Sequence, residues 1–294
     1  MSEKNSITLP PSNLSQAPIG VFDSGFGGLT VLKDLQRELP QEQFIYFGDD
    51  ANCPYGPRLE EEVRQLAIAA SAWLIAEHQV KLIVVACNTA SVTARNALRE
   101  TFPDIPFVVV VPAVKVAATL TQTKVVTLAA TARAIQDRFT NQLISDFGAG
   151  VTFHSVACPD LVTLVEAGKF SGLETETALE TYLRPSLNAG SDVIVLGCTH
   201  FPAIRSAIEK IAGPHTQIID SGAAVARQTR AVLSQRSLLN DGPSLPKEHN
   251  VDYWTSGDPV RFAHIASQIM DYSVTARHAE TQFSQSESTE IQAL

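Results

Sequence analysis

Cysteine is scarce in this 294-residue chain: four residues, at 53, 87, 158 and 198, no two of them in a C-x-x-C pair. That excludes a zinc ribbon and a thioredoxin-type motif, and so few thiols in so long a chain do not make a disulfide scaffold. Basic residues are in deficit, 22 Lys and Arg against 31 Asp and Glu, for a net charge of −9. No nucleic-acid partner is expected, because phosphate binding needs a basic face. Long apolar runs are missing as well: none reaches the roughly 18–20 residues of a membrane helix. Residues 1–18 are polar and Ser/Pro-rich and lack the apolar core of a signal peptide. The expectation is a cytoplasmic protein with reduced thiols and no membrane contact. The glycines at 25, 27 and 28 fit neither the Walker nor the dinucleotide pattern, and no lysine stands in an evident pyridoxal motif. No cofactor and no metal site is expected.

What is present is ample core material, 45% hydrophobic residues, arranged in a regular alternation. Short apolar runs at 19–22, 44–47, 82–86, 107–111, 124–128, 151–156, 193–196, 217–219 and 251–255 read as strands. Between them apolar residues recur at helical spacing, as in Val63, Leu66, Ala67, Ala70, Trp73 and Leu74. Uninterrupted runs such as Leu82–Ala86 and Val193–Leu196 suit central strands covered on both faces. The predicted class is α/β with mainly parallel sheets, and ligands in such folds bind beyond the carboxyl ends of strands. A single helix is predicted near Ile135–Phe147, and the chain from about Arg277 reads as a disordered tail. Asp-Ser-Gly occurs at 23–25 and at 220–222, and a strand-Cys-turn-helix unit occurs around Cys87 and again around Cys198. Two related halves facing one cleft would explain both repeats.

Cys53 and Cys158 read as small buried hydrophobes. Cys87 and Cys198 differ: each directly follows a buried strand and precedes a predicted helix, where a helix N-terminus lowers a thiol pKa toward neutrality. Two thiols on opposite sides of a carbon acid can invert it, one removing a proton while the other delivers one. Asp23, beside Ser24 in the glycine-rich turn, reads as a helper or a turn-forming residue. His200 reads as a helper or a helix-start side chain. Pro54-Tyr55-Gly56 is a turn that could cover a substrate. Glu166 reads as a solvated charge.

Taken together, these motifs resemble glutamate racemase, within the aspartate/glutamate racemase superfamily. The resemblance runs from about residue 19 to 271 and rests on Val21–Gly28, Pro54–Gly56, Ala86–Ala90, Pro112–Lys115, Leu196–Pro202 and Asp220–Gly222, in that order. It implies a cofactor-independent interconversion of L- and D-glutamate that supplies peptidoglycan synthesis. Cys87 would take the proton from D-glutamate and Cys198 from L-glutamate, supported by Asp23 and His200. Ser24, Pro54, Tyr55, Gly56, Asn88, Thr89, Thr131 and Thr199 would bind the substrate. The implied architecture is two α/β domains with the site between them: residues 19–114 plus 227–272, and residues 115–226, with a flexible extension over 1–18 and a disordered tail over 273–294. The extension resembles that of members activated by UDP-N-acetylmuramoyl-L-alanine, and a homodimer is left open.

The chain departs from the family in places. Ala134 stands where a second threonine is common, so one substrate hydrogen bond, worth about 1 kcal/mol, is expected to be missing. Residues 50 and 52 also differ from common choices. Two rival readings remain: an aspartate or hydantoin racemase of the same superfamily, and a non-catalytic binding or inhibitor protein on this scaffold.

Overall fold

The computed structural model describes residues 14–280. The chain begins its first sheet with β1 (Ile19–Asp23), α1 (Gly28–Glu38), β2 (Phe44–Gly48), α2 (Glu60–His78), β3 (Leu82–Val85), α3 (Asn88–Thr101) and β4 (Phe107–Val109). After α4 (Val114–Leu120) a second sheet is built from β5 (Val125–Ala130), α5 (Ala132–Gln136), α6 (Arg138–Phe147), β6 (Thr152–Ala157), α7 (Pro159–Glu166), α8 (Leu173–Asn188), β7 (Val193–Gly197), α9 (Arg205–Ala212) and β8 (Gln217–Ile219). The chain then returns to the first sheet through α10 (Gly222–Gln235), β9 (Val251–Thr255), α11 (Pro259–Met270) and β10 (Ala276–His278).

The six-stranded sheet has the order β10-β9-β2-β1-β3-β4 and the four-stranded sheet the order β6-β5-β7-β8. All neighbouring strands are parallel. Strands β1, β2, β3 and β7 are buried at every position. Helices cover both faces, so an alternating pattern would have put polar groups into a core. The larger sheet packs α1, α10 and α11 residues on one face and α2 and α3 residues on the other.

The two sheets share one plan. In each, the first strand of the unit pairs with the second on one side and the third on the other: β2-β1-β3-β4 matches β6-β5-β7-β8. Cys87 follows β3 and Cys198 follows β7, so the two thiols occupy equivalent places. The two Asp-Ser-Gly segments do not. The first follows β1 and the second follows β8, whose counterpart is β4; the counterpart of Asp23 is the end of β5, where Thr131 stands. Asp220 instead accepts from the Gly222 N–H, 2.9 Å, and pairs with Arg205, fixing the start of α10.

Two expectations are corrected. The helix foreseen over 135–147 is broken at Asp137, whose carboxylate accepts from the Phe139 N–H at 2.8 Å and starts α6 afresh. Arg277, read as the start of a structureless tail, lies in β10, a sixth strand paired to β9. Ala279 donates to the Thr255 carbonyl at 2.8 Å and is buried. Three residues with no β-branched side chain gave no strand signal. The remainder of that tail, 281–294, and residues 1–13 of the extension lie outside the described residues. Among the described residues no helix is long and apolar enough to cross a membrane.

Candidate active site

Four strand ends converge on one place. Asp23 closes β1, Cys87 follows β3, Thr131 follows β5 and Cys198 follows β7. In each sheet these are the two strands flanking the point where strand order reverses, the usual site of a crevice. Between them lies a cavity of about 170 Å³, small beside the roughly 300–1,000 Å³ of drug-sized pockets and suited to a compact ligand. Cys87 and Cys198 both line it, as do Ser24, Pro54, Tyr55, Gly56, Asn88, Thr89, Thr131, Thr199 and His200. Asp23 is fully buried behind this wall.

The thiols have different surroundings. Cys87 sits at the N-cap of α3, where the Ala90 N–H points to its sulfur at 3.5 Å, and its Sγ lies 3.4 Å from Ser24 Oγ. Burial pushes the Cys87 thiol up to about 12, reinforced by the charge of Asp23 and only partly offset by the Ala90 N–H and Ser24. The lowering expected from the helix N-terminus is therefore overridden: one helix end is worth about 0.3–1 kcal/mol, less than the cost of burying a thiolate there. Cys198 is followed by a 3-10 turn, Phe201–Ile204, and α9 starts only at Arg205. Its neighbour is His200, with Nδ1 3.5 Å from the sulfur.

His200 in turn meets Glu166, Nε2 to Oε1 at 2.6 Å, and Glu166 Oε1 also accepts from the Phe26 N–H at 3.0 Å. Burial alone would pull the His200 imidazole down. The charge of Cys198 and the side chains of Cys198, Cys53 and Glu166 outweigh it and hold His200 well above its ordinary value. Glu166 is thus no solvated charge; its side chain is 12% exposed and inside the network. A hint was present. Glu166 is the last residue of α7, where an acid opposes the helix dipole and needs another partner.

Asp23 braces the other half of the site. Its carboxylate accepts from the Gly25 N–H at 2.8 Å and from Thr199 Oγ1 at 3.1 Å, tying the end of β1 to the segment after β7. Burial raises its pKa, opposed chiefly by His200. Thr89 and Thr131 hydroxyls meet at 3.0 Å, a second link between the sheets. Two glycines are required by this closeness: a methyl group at Gly27 would lie 2.7 Å from His200 N, His200 Nδ1 and Thr199 Oγ1, and one at Gly25 would strike Glu166 Oε1. The glycine-rich turn serves the seam between the halves.

Tyr55 spends its hydroxyl on Asp49 Oδ2 at 2.5 Å, so it offers the cavity its ring and backbone. Ala134 is fully buried under Thr131, whose Oγ1 accepts from the Ala134 N–H at 3.2 Å, and is no part of the cavity wall. Asp50 accepts from Thr255 and from the Gly257 N–H, and Asn52 donates to Asp49, so both departures serve the loop. Asn88 Nδ2 is buried at the cavity with no hydrogen-bond partner among the described residues. A buried donor left open beside a cavity is costly unless a ligand fills it.

Two halves of one plan, each presenting a thiol at the same strand end to one small cavity, define the architecture of an amino-acid racemase. The family model of Asp/Glu/Hydantoin racemases matches residues 19–229, and the chain belongs to that family. It is 45% identical over 252 residues to the glutamate racemase of Herpetosiphon aurantiacus, covering 86% of this chain and 97% of that one. With the glutamate racemase of Deinococcus radiodurans it shares 43% over 262 residues, 88% of each chain. The structure of Escherichia coli glutamate racemase in complex with L-glutamate and activator UDP-MurNAc-ala matches with a TM-score of 0.79 at 31% identity, covering 90% of this chain and 99% of that one. Glutamate racemase from Francisella tularensis in complex with D-glutamate matches with a TM-score of 0.77 at 29% identity, covering 90% and 98%.

Proposed function

We propose that this chain interconverts L- and D-glutamate, using Cys87 and Cys198 as acid and base on opposite faces of Cα. The observation that carries the reading is that both sulfurs wall the same small cavity from equivalent strand ends. Burial keeps Cys87 a thiol, ready to donate its proton, and His200 Nδ1 stands 3.5 Å from the Cys198 sulfur, placed to assist it as the base. That state suits L-glutamate. Cys198 removes the Cα proton and Cys87 donates its own to the other face. The product leaves Cys87 as thiolate and Cys198 as thiol, the state that accepts D-glutamate. The burial that keeps Cys87 protonated at rest also makes its thiolate a strong base, which a weak carbon acid requires.

Glu166 holds the imidazole of His200, and Asp23 holds Thr199 in register. The substrate carboxylates fall to the open amide of Asn88 and to the hydroxyls of Ser24, Thr89, Thr131 and Thr199, in a cavity that keeps water from the carbanionic transition state. The unit of the six-stranded sheet, with α10 and β10, and the unit of the four-stranded sheet act as the two lobes that enclose the substrate. The product supplies D-glutamate for peptidoglycan in the cytoplasm. By analogy with the E. coli relative, UDP-MurNAc-L-alanine raises turnover; an unchanged rate on adding it removes that part.

The test is solvent exchange at Cα in heavy water, with each enantiomer of glutamate and of aspartate. Deuterium uptake by both glutamates and little by aspartate is expected. Uptake by aspartate alone would reassign the substrate, and uptake by neither would end the reading.

A further inference from the structure

Cys53 does not line the cavity, yet it reaches His200 from outside and completes a cluster with two groups of the site. One ligand atom each from Cys53, Glu166 and His200 lies within 4.8 Å of the other two. Three separate segments supply them: the loop after the 3-10 turn Asp50–Asn52, the end of α7, and the turn after β7. Cys53 and Glu166 are partly exposed, giving a path from solvent, while His200 is buried.

We propose that Cys53, Glu166 and His200 form an inhibitory site for a borderline-soft divalent cation, zinc above all. One sulfur, one imidazole nitrogen and one carboxylate oxygen are the donor types zinc takes, and three protein ligands leave a fourth position for water. The ion enters on the Glu166 side of the imidazole, through Nε2, since Nδ1 faces Cys198. Ligand atoms around tetrahedral zinc stand roughly 3.3–3.8 Å apart. The His200–Glu166 contact, now 2.6 Å, must therefore open by less than an ångström. The Phe26 N–H, 3.0 Å from Glu166 Oε1, orients the carboxylate as an outer-shell donor. Binding sends two protons to solvent, the one on Cys53 and the one shared by His200 and Glu166. A thiolate and a carboxylate then balance the dication.

The consequence for turnover rests on the function proposed above. Zinc on Nε2 displaces Glu166 from the imidazole and fixes the ring, so His200 can no longer assist Cys198 and racemisation stops. Metal binding itself does not depend on that function. No sequence spacing announced the site, because its members stand at 53, 166 and 200.

Cobalt(II) titration of the full chain, followed by absorption, tests the site, with zinc inhibition and its reversal by chelator measured alongside. Wild type is expected to show a thiolate-to-cobalt charge-transfer band that zinc displaces. Cys53→Ser should lose the band and weaken zinc inhibition by more than the roughly 10–100-fold that loss of an outer-shell partner costs. The Cys87→Ser, Cys158→Ser, Cys198→Ser triple variant should keep the band, which decides the matter even if Cys53→Ser does not fold. No band in wild type would overturn the site, as would a band that vanishes in the triple variant. A Cys53-dependent band with zinc-insensitive racemisation would overturn the inhibition. The same band in a protein inactive on both glutamates would leave the site standing and remove the functional reading.

Discussion

Cys87 and Cys198 occupy equivalent positions, but their neighbours are not equivalent: Ser24 and a helix start for one, a His200–Glu166 pair for the other. Each thiol is needed for every inversion, since one removes what the other replaces. Cys87→Ala and Cys198→Ala should therefore each abolish racemisation with the fold intact by circular dichroism; full activity in either would remove the two-thiol mechanism. Glu166→Gln keeps the shape and loses the charge. A charge-assisted hydrogen bond is worth about 1.5–3 kcal/mol, so kcat should fall by roughly tenfold to a hundredfold, and an unchanged kcat would make Glu166 merely structural. Asn88→Ala should act on binding, raising KM for both enantiomers by a similar factor, because its buried amide donor has no partner among the described residues. A fall in kcat at constant KM would contradict that assignment.

At the scale of elements, the strands that matter most were legible because burial on both faces leaves a continuous apolar run. Leu82–Ala86 and Val193–Leu196 announced themselves, and the residues that follow such runs are placed at a cleft by the fold class alone. The cysteines could be singled out for that reason. Glu166 could not, since its partners Phe26 and His200 are 140 and 34 residues away and only packing joins them. The purpose of the glycines at 25 and 27 was hidden in the same way. Sequence showed a tight turn, and the tertiary structure shows side chains of the other half pressed against it. Gly27→Ala should push His200 and Thr199 aside. Overpacking of this kind costs typically about 1–3 kcal/mol, and kcat should fall more than the melting temperature would suggest. Normal turnover in Gly27→Ala would show the seam to be looser than its distances imply. The strand β10 was invisible for a different reason, being three residues whose stability comes from β9 and from Arg277 lying over the Trp254 ring at 5.4 Å. Ending the chain at Val274 should lower the melting temperature by exposing the edge of β9.

Over the whole molecule, burial of thiols links stability to pH. Cys87 and Cys158 are each pushed from an ordinary 9.0 up to about 12, in both cases first by burial. A raised thiol pKa means that the native state holds its proton where the unfolded chain has lost it. The stabilisation is complete below pH 9 and is lost as pH rises toward 12, so melting temperature should fall across that window. Cys158→Ala should fall less steeply than wild type, and identical slopes would contradict the burial argument. The same enclosure makes inversion possible, by keeping bulk water from the two sulfurs and the carbon between them.

The division of labour between the thiols is read most directly from where solvent hydrogen arrives. L-glutamate is converted in heavy water, and the reaction is stopped while little product has formed. With separate groups on the two faces, the first D-glutamate should carry deuterium at Cα while the remaining L-glutamate keeps protium, and the reverse should hold starting from D-glutamate. Early product that retains the substrate's own protium would mean a single group serving both faces, and Cys87 and Cys198 could not then be opposed acid and base.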